Sequence, residues 1–135
     1  MKTDFQLAPQ LEQDSILLTD WPLCQLRLSL DANYPWFILV PRRANIREII
    51  DLNTEDQMQL WQESACLSRW LQQYYQGDKL NIAALGNMVP QLHLHHIVRF
   101  KSDPAWPAPV WGKVAAISYT EADLTQLLQV TPAFG

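Results

Sequence analysis

Residues 87–99 read NMVPQLHLHHIVR, a stretch that contains every histidine of the chain at positions 93, 95 and 96 among branched apolar residues. Such a run reads as a strand, and side chains alternate along a strand. Gln91, His93 and His95 therefore share one face, and Leu92, Leu94 and His96 share the other. Same-face neighbours lie roughly 6–7 Å apart, close enough for one imidazole to attack a phosphorus while the next steadies its oxygens. Two histidines at this spacing also occur as ordinary strand residues. A zinc site needs a third or fourth ligand, and no further same-face histidine or nearby carboxylate supplies one, so no metal is expected. His96, on the opposite face, is expected to be a hydrogen-bonded structural residue.

Upstream, Lys79 to Leu85 reads as a fourth strand that turns through Gly86 to Pro90 into the histidine strand, Gln91 to Phe100, as a hairpin. Three earlier strands are expected to form an antiparallel meander: SILLTDWP from Ser15, the alternating segment Leu23 to Asp31, and Trp36 to Val40, closed by Pro41. The alternation of Cys24, Leu26, Leu28 and Leu30 with Gln25, Arg27, Ser29 and Asp31 predicts a half-buried strand. Thr54 and Gln57 form a capping box for a long helix carrying Leu60, Leu67, Leu71 and Tyr74, which Gly77 stops. A short helix is predicted within residues 4–13 despite Pro9, and another after Thr120. The segment SDPAWPAPVWG (102–112) reads as an ordered aromatic loop. The class is α+β, in one domain over residues 1–135.

A chain of 135 residues with 48% hydrophobic residues can bury a real core, which excludes wholesale disorder. Its net charge of −4 offers no broad footprint for a nucleic-acid backbone, so no nucleic-acid partner is expected. Cys24 and Cys66 form no CxxC pair and read as reduced core thiols. Neither a leader of signal-peptide type nor an apolar run of membrane-spanning length is visible, and the expectation is a cytoplasmic protein without a membrane partner.

The motif GNMVPQLHLHHIVR (86–99) resembles the signature of the histidine triad hydrolases, in which a strand carries H-φ-H-φ-H, φ being apolar. FILVPRR (37–43) and IREIIDL (46–52), followed by the capped helix, resemble the family's preceding segments. PWFILVPRR, LNIAALGN, VPQLHLH and AWPAPVWG together are similar to a proteobacterial subgroup of that family. The resemblance covers most of the chain and implies a sheet of about five strands with one long helix and shorter terminal helices.

It also implies chemistry: a nucleotide hydrolase or transferase acting on a phosphoanhydride, phosphoramidate or adenylate bond of a nucleoside 5′-phosphate derivative. The substrates it implies include dinucleoside polyphosphates. The middle histidine of the triad, here His93, would attack the α-phosphorus and carry the nucleotide as a nucleotidyl-imidazole. His95 would help organise the phosphoryl oxygens. Gln91 stands in place of the first triad histidine, and an amide cannot shuttle a proton. Asn87 replaces a family glutamine, and the backbone N–H groups of Gly86, Asn87 and Met88 are candidate phosphate ligands, although an ordinary hairpin turn fits as well. Asp31 falls where the family places a ribose-binding carboxylate, and as a residue it also reads as a solvated turn aspartate. No cofactor is required, with Mg an option for polyphosphate substrates. Family members are typically homodimers. The second reading is a nucleotide-binding module of the same fold with weak catalysis.

Overall fold

The computed structural model describes residues 4–135. The chain runs α1 (Pro9–Asp14), β1 (Ser15–Asp20), β2 (Cys24–Ser29), β3 (Trp36–Pro41), a 3-10 turn (Ile49–Asp51), α2 (Thr54–Tyr75), β4 (Lys79–Ala83), β5 (Leu94–Arg99) and α3 (Glu121–Val130). The five strands form one antiparallel sheet in the order β1-β2-β3-β5-β4. The fold is α+β, and the expected meander and hairpin are both present. None of the described helices is long and apolar enough to cross a membrane.

Alternation along the strands divides the apolar residues into two cores. Cys24, Leu26 and Leu28 of β2, with Phe37 and Leu39 of β3 and Leu94 of β5, meet Leu60, Leu67 and Leu71 of α2 on one face. Trp36, Ile38, Val40 and Ile97 point the other way, beneath Leu11 of α1 and Ala105 and Val110 of the Pro/Trp loop. This second layer corrects the expectation that β2 is half-buried, because Arg27 and Ser29 are buried as well. The Arg27 guanidinium is tolerated there because it donates to Ser15 Oγ (2.7 Å), the Ser15 carbonyl (3.0 Å) and Gln25 Oε1 (2.9 Å).

Both ends of α2 differ from the sequence reading. Asn53, not Thr54, is the N-cap: its backbone is extended and its side chain accepts from the Asp56 N–H at 2.8 Å. Gln57 instead donates to the Leu52 carbonyl. At the other end Gln76, not Gly77, takes the left-handed conformation (φ 54°). Gly77 is required by close approach, since a Cβ there would stand 2.4 Å from Val98 Cγ1 and 3.0 Å from the Arg99 carbonyl oxygen. α3 begins as read, with Thr120 capping the Asp123 N–H.

The loop after β5 is ordered by a buried ion pair. Asp103 receives both Arg99 Nε (2.8 Å) and Nη2 (3.0 Å), and also the N–H groups of Phe100, Ala105 and Trp106. Arg99 donates further to Asn81 Oδ1 and lies 5.7 Å from the ring centres of Tyr34 and Trp106. Burial would raise the Asp103 pKa, but these donors outweigh it and hold the carboxyl down at about 2. Asp103→Ala strands a buried guanidinium, so it should lower the unfolding free energy by about 3–5 kcal/mol in urea titrations. A loss under about 1 kcal/mol would refute the role given to this pair.

Candidate active site

On the face of the sheet away from α2 lies a cavity of about 680 Å³. His93 and His95 line it, together with Asp31, Gly86, Asn87 and Met88. Six of the seven residues singled out in the sequence thus meet around one space, although Asp31 is far from the others along the chain.

The seventh does not join them. The Gln91 amide is turned to the segment before α1, where Oε1 accepts from the Ala8 N–H and Nε2 donates to the Gln6 carbonyl, both at 2.8 Å. It lines a separate hollow with Arg47 and Asn45. The physical reason is the late start of β5. Pairing with β3 begins at Leu94, and the Leu92 N–H goes to the Ile46 carbonyl, so strand alternation does not extend back to Gln91. β4 likewise ends at Ala83, short of the expected Leu85.

The main chain of Gln91 nevertheless touches the site. His93 Nδ1 lies 2.7 Å from the Gln91 carbonyl oxygen, which can only accept, so Nδ1 carries the proton and the distal Nε2 keeps the lone pair. The His93 and His95 ring centres are 4.8 Å apart, and both residues are 7% exposed. Trp36 Nε1 donates to His95 Nδ1 at 2.9 Å, while the Trp111 ring packs edge-on against His95 at 5.1 Å. Burial, followed by the neighbouring His93 and His96, pushes the His95 pKa down to about 3.

His96 sits on the α2 face, fully buried. Its Nδ1 donates to the Leu94 carbonyl, and its Nε2 accepts from the Ser64 hydroxyl at 2.7 Å. Burial lowers its pKa to about 4 against the opposing pull of the Leu94 carbonyl.

Asp31 uses Oδ1 to accept from the Asn33 N–H (2.9 Å), Asn33 Nδ2 (2.7 Å) and the Ile117 N–H (3.3 Å), and Oδ2 is not engaged by any described residue. The same contacts hold the segment around Ile117 along one wall, with the Ala32 N–H bonded to the Ile117 carbonyl at 2.7 Å. Among the described residues, no partner receives the N–H groups of Gly86, Asn87 or Met88, and Gly86 adopts φ 77°. Met88 stands almost wholly in solvent, 93% exposed, at the border of the cavity. No three His, Cys, Asp or Glu side chains among the described residues converge as metal ligands would.

Sequence reading missed Trp36 as a site residue. Its partner is 59 positions away, and only the β3–β5 register, which pairs Ile38 with His95 and Trp36 with Ile97, brings the indole beside the imidazole. The walls contributed by Gln10, Gln13 and Asp14 of α1 carried no local signal either.

A buried imidazole with a free Nε2, a second imidazole beside it and a row of open backbone donors thus share one cavity. The HIT domain family matches residues 10–102, and the chain belongs to that histidine triad family. Solved structures agree along the whole fold. A histidine triad protein from Marinobacter aquaeolei superposes with a TM-score of 0.92 at 50% identity, covering 94% of this chain and 93% of that one. One from Bradyrhizobium japonicum gives 0.92 at 44% identity, covering 94% and 95%. One from Sinorhizobium meliloti gives 0.90 at 42% identity, covering 93% of each. No curated protein matches the chain.

The buried imidazoles make stability depend on pH with a definite sign. Unfolded, His95 and His96 take up protons near the ordinary pKa of about 6.5, whereas folded they stay neutral to about 3 and 4. Their contribution is complete above pH 6.5 and is lost as pH falls, at roughly 1.4 kcal/mol per pH unit for each ring that remains neutral. Urea unfolding at pH 7, 6 and 5 should show this decline, and His96→Gln should flatten it by about half. Constant stability from pH 7 to 5 would contradict the burial of both rings as neutral groups.

Proposed function

We propose that this protein is a nucleotide hydrolase or nucleotidyl transferase that works through a nucleotidyl-histidine intermediate on His93. The observation that carries the reading is the His93–Gln91 contact. By consuming the Nδ1 proton it presents Nε2 as a lone pair, and it also steadies the imidazolium that forms when Nε2 bonds to phosphorus. The substrate class is a nucleoside 5′-phosphate derivative joined through a phosphoanhydride, phosphoramidate or acyl-adenylate bond. Adenosine is the nucleoside that the family resemblance favours.

In this reading the α-phosphate lies against His93 and His95, with the unpartnered N–H groups of residues 86–88 donating to its oxygens and compensating the charge that gathers there. Asp31 Oδ2 accepts from the ribose hydroxyls. The Trp111 ring closes the cavity over His95 and excludes bulk water from the phosphorus. Gln91 supports the site from behind: its amide ties the segment before α1 to the loop that precedes β5, and its carbonyl sets the His93 ring.

The outer edge of β4 is unpaired in the single chain and carries the half-exposed Ile82, which supports a homodimer joined through that edge. The free thiols of Cys24 and Cys66 suit a reducing, cytoplasmic setting. Sedimentation equilibrium should give twice the chain mass, and a monomer at micromolar concentration would overturn the dimer.

The mechanism is tested by mixing protein with the 4-nitrophenyl ester of AMP and recording released nitrophenol alongside intact-protein mass. Wild type should show an AMP adduct or steady AMP release. His93→Ala should lose at least about a thousandfold in kcat with AMP still bound. Binding of AMP without adduct or turnover in wild type would leave the second reading, a nucleotide-binding module.

A further inference from the structure

Between Val110, buried in the layer over the sheet, and Tyr119, packed against the α2 core, residues 111–118 run without helix or strand and are exposed throughout. A segment that buries so little of itself opens at a lower free energy than the fold as a whole. It is nevertheless a wall of the cavity, to which it contributes Trp111, Ala116, Ile117 and Ser118.

Among the described residues, the hydrogen bonds that join this segment to the rest of the chain all end on residues 31–33. The Ile117 N–H donates to Asp31 Oδ1 at 3.3 Å, the Ala32 N–H donates to the Ile117 carbonyl at 2.7 Å, and Asn33 Nδ2 donates to the Ala115 carbonyl at 2.9 Å. Asn33 is the joint. Its Nδ2 also donates to Asp31 Oδ1 at 2.7 Å, where its backbone N–H donates at 2.9 Å. An amide nitrogen carries two hydrogens, so a single side chain grips both the carboxylate and the segment. The donors gathered on Oδ1 fix the carboxylate plane and leave Oδ2 as the oxygen available to a ligand.

Resting on the reading of Asp31 as the ribose acceptor, we propose that residues 111–118 are a strap whose closure is coupled to nucleoside binding, with Asn33 the positioning residue that joins the two. The coupling has two sources. A carboxylate already held by Asn33 and Ile117 loses less freedom when ribose hydroxyls bond to it, so the closed strap favours the ribose. A nucleoside seated on Asp31 also covers part of the Ile117 side chain, which is 56% exposed and lines the same cavity. Linkage makes the effect reciprocal: what the strap adds to nucleoside binding, the nucleoside returns as closure of the strap. A phosphate held at His93 and His95 without a ribose does not engage Asp31 and gains neither term.

Lys113 supplies the readout, since it lies within the strap and is the last basic residue of the chain. Proteolysis of a transiently opened segment follows the population of the open form. The experiment measures trypsin cleavage after Lys113 by intact mass, which separates residues 114–135, in the presence of AMP, inorganic phosphate or neither, with AMP binding measured by calorimetry. AMP at about ten times its Kd should slow this cut about tenfold, and phosphate at the same concentration should leave it unchanged. Asn33→Ala should quicken the cut about fivefold without ligand, and raise KM for the 4-nitrophenyl ester of AMP about fivefold with kcat within about twofold of wild type. Equal cleavage with and without bound AMP, equal protection by phosphate, or a fall in kcat at unchanged KM in Asn33→Ala would overturn the coupling while leaving His93 as nucleophile. Failure of wild type to bind AMP would overturn both the coupling and the reading it rests on. The wild-type cleavage rates decide the matter if Asn33→Ala fails to fold.

Discussion

The pairing of β5 with β3 is the constraint on which the site depends. Because the register sets Ile38 opposite His95 and Phe37 opposite His96, one strand delivers one imidazole to a ligand-sized cavity and the next to the underside of α2. A shift of one residue would exchange them, placing His96 in the cavity and His95 against Ser64. The core resists such a slip. Leu94 and Val98 belong to the α2 layer and Ile97 to the opposite one, so a slipped strand would turn each of them into the wrong layer.

Around that strand the three histidines are each given a different fixed partner. His93 meets a backbone carbonyl, His95 an indole N–H, and His96 a hydroxyl together with a carbonyl. Acceptors force protons on and donors force lone pairs, so His93 and His96 carry the proton on Nδ1 and His95 carries it on Nε2. Burial reinforces the assignment at His95 and His96 by disfavouring the charged ring. The chemistry follows from these surroundings more than from the motif.

The substitution of glutamine at position 91 takes on a different meaning in three dimensions. As a strand residue it would be an impaired catalytic group beside His93. In the fold it is a clamp, satisfying one donor and one acceptor of the segment before α1, which in turn carries Leu11 over Trp36 and Ile38. The second layer over the sheet, the wall of the cavity and the orientation of His93 therefore share one anchor. The Arg99–Asp103 pair does comparable work at the far end of β5, where it orders the loop that brings Trp111 back to His95.

By itself the sequence determined the identity of nearly every element, because apolar period and turn residues act over a few positions. It placed β1, β2, β3, the long helix and α3, separated His96 from its two neighbours, and brought the histidine triad motif into view. It misjudged points that depend on close inspection of a boundary, such as the cap at Asn53 and the reason for Gly77. Tertiary structure decided what distance along the chain conceals. The Trp36–His95 bond spans 59 positions and the Gln91–Ala8 bond 83, and burial of Arg27 comes with a layer contributed by α1 and the loop after β5. Periodicity reports which way a side chain points. Which group it meets there, and hence where its proton sits, is set by packing between segments that share no local pattern.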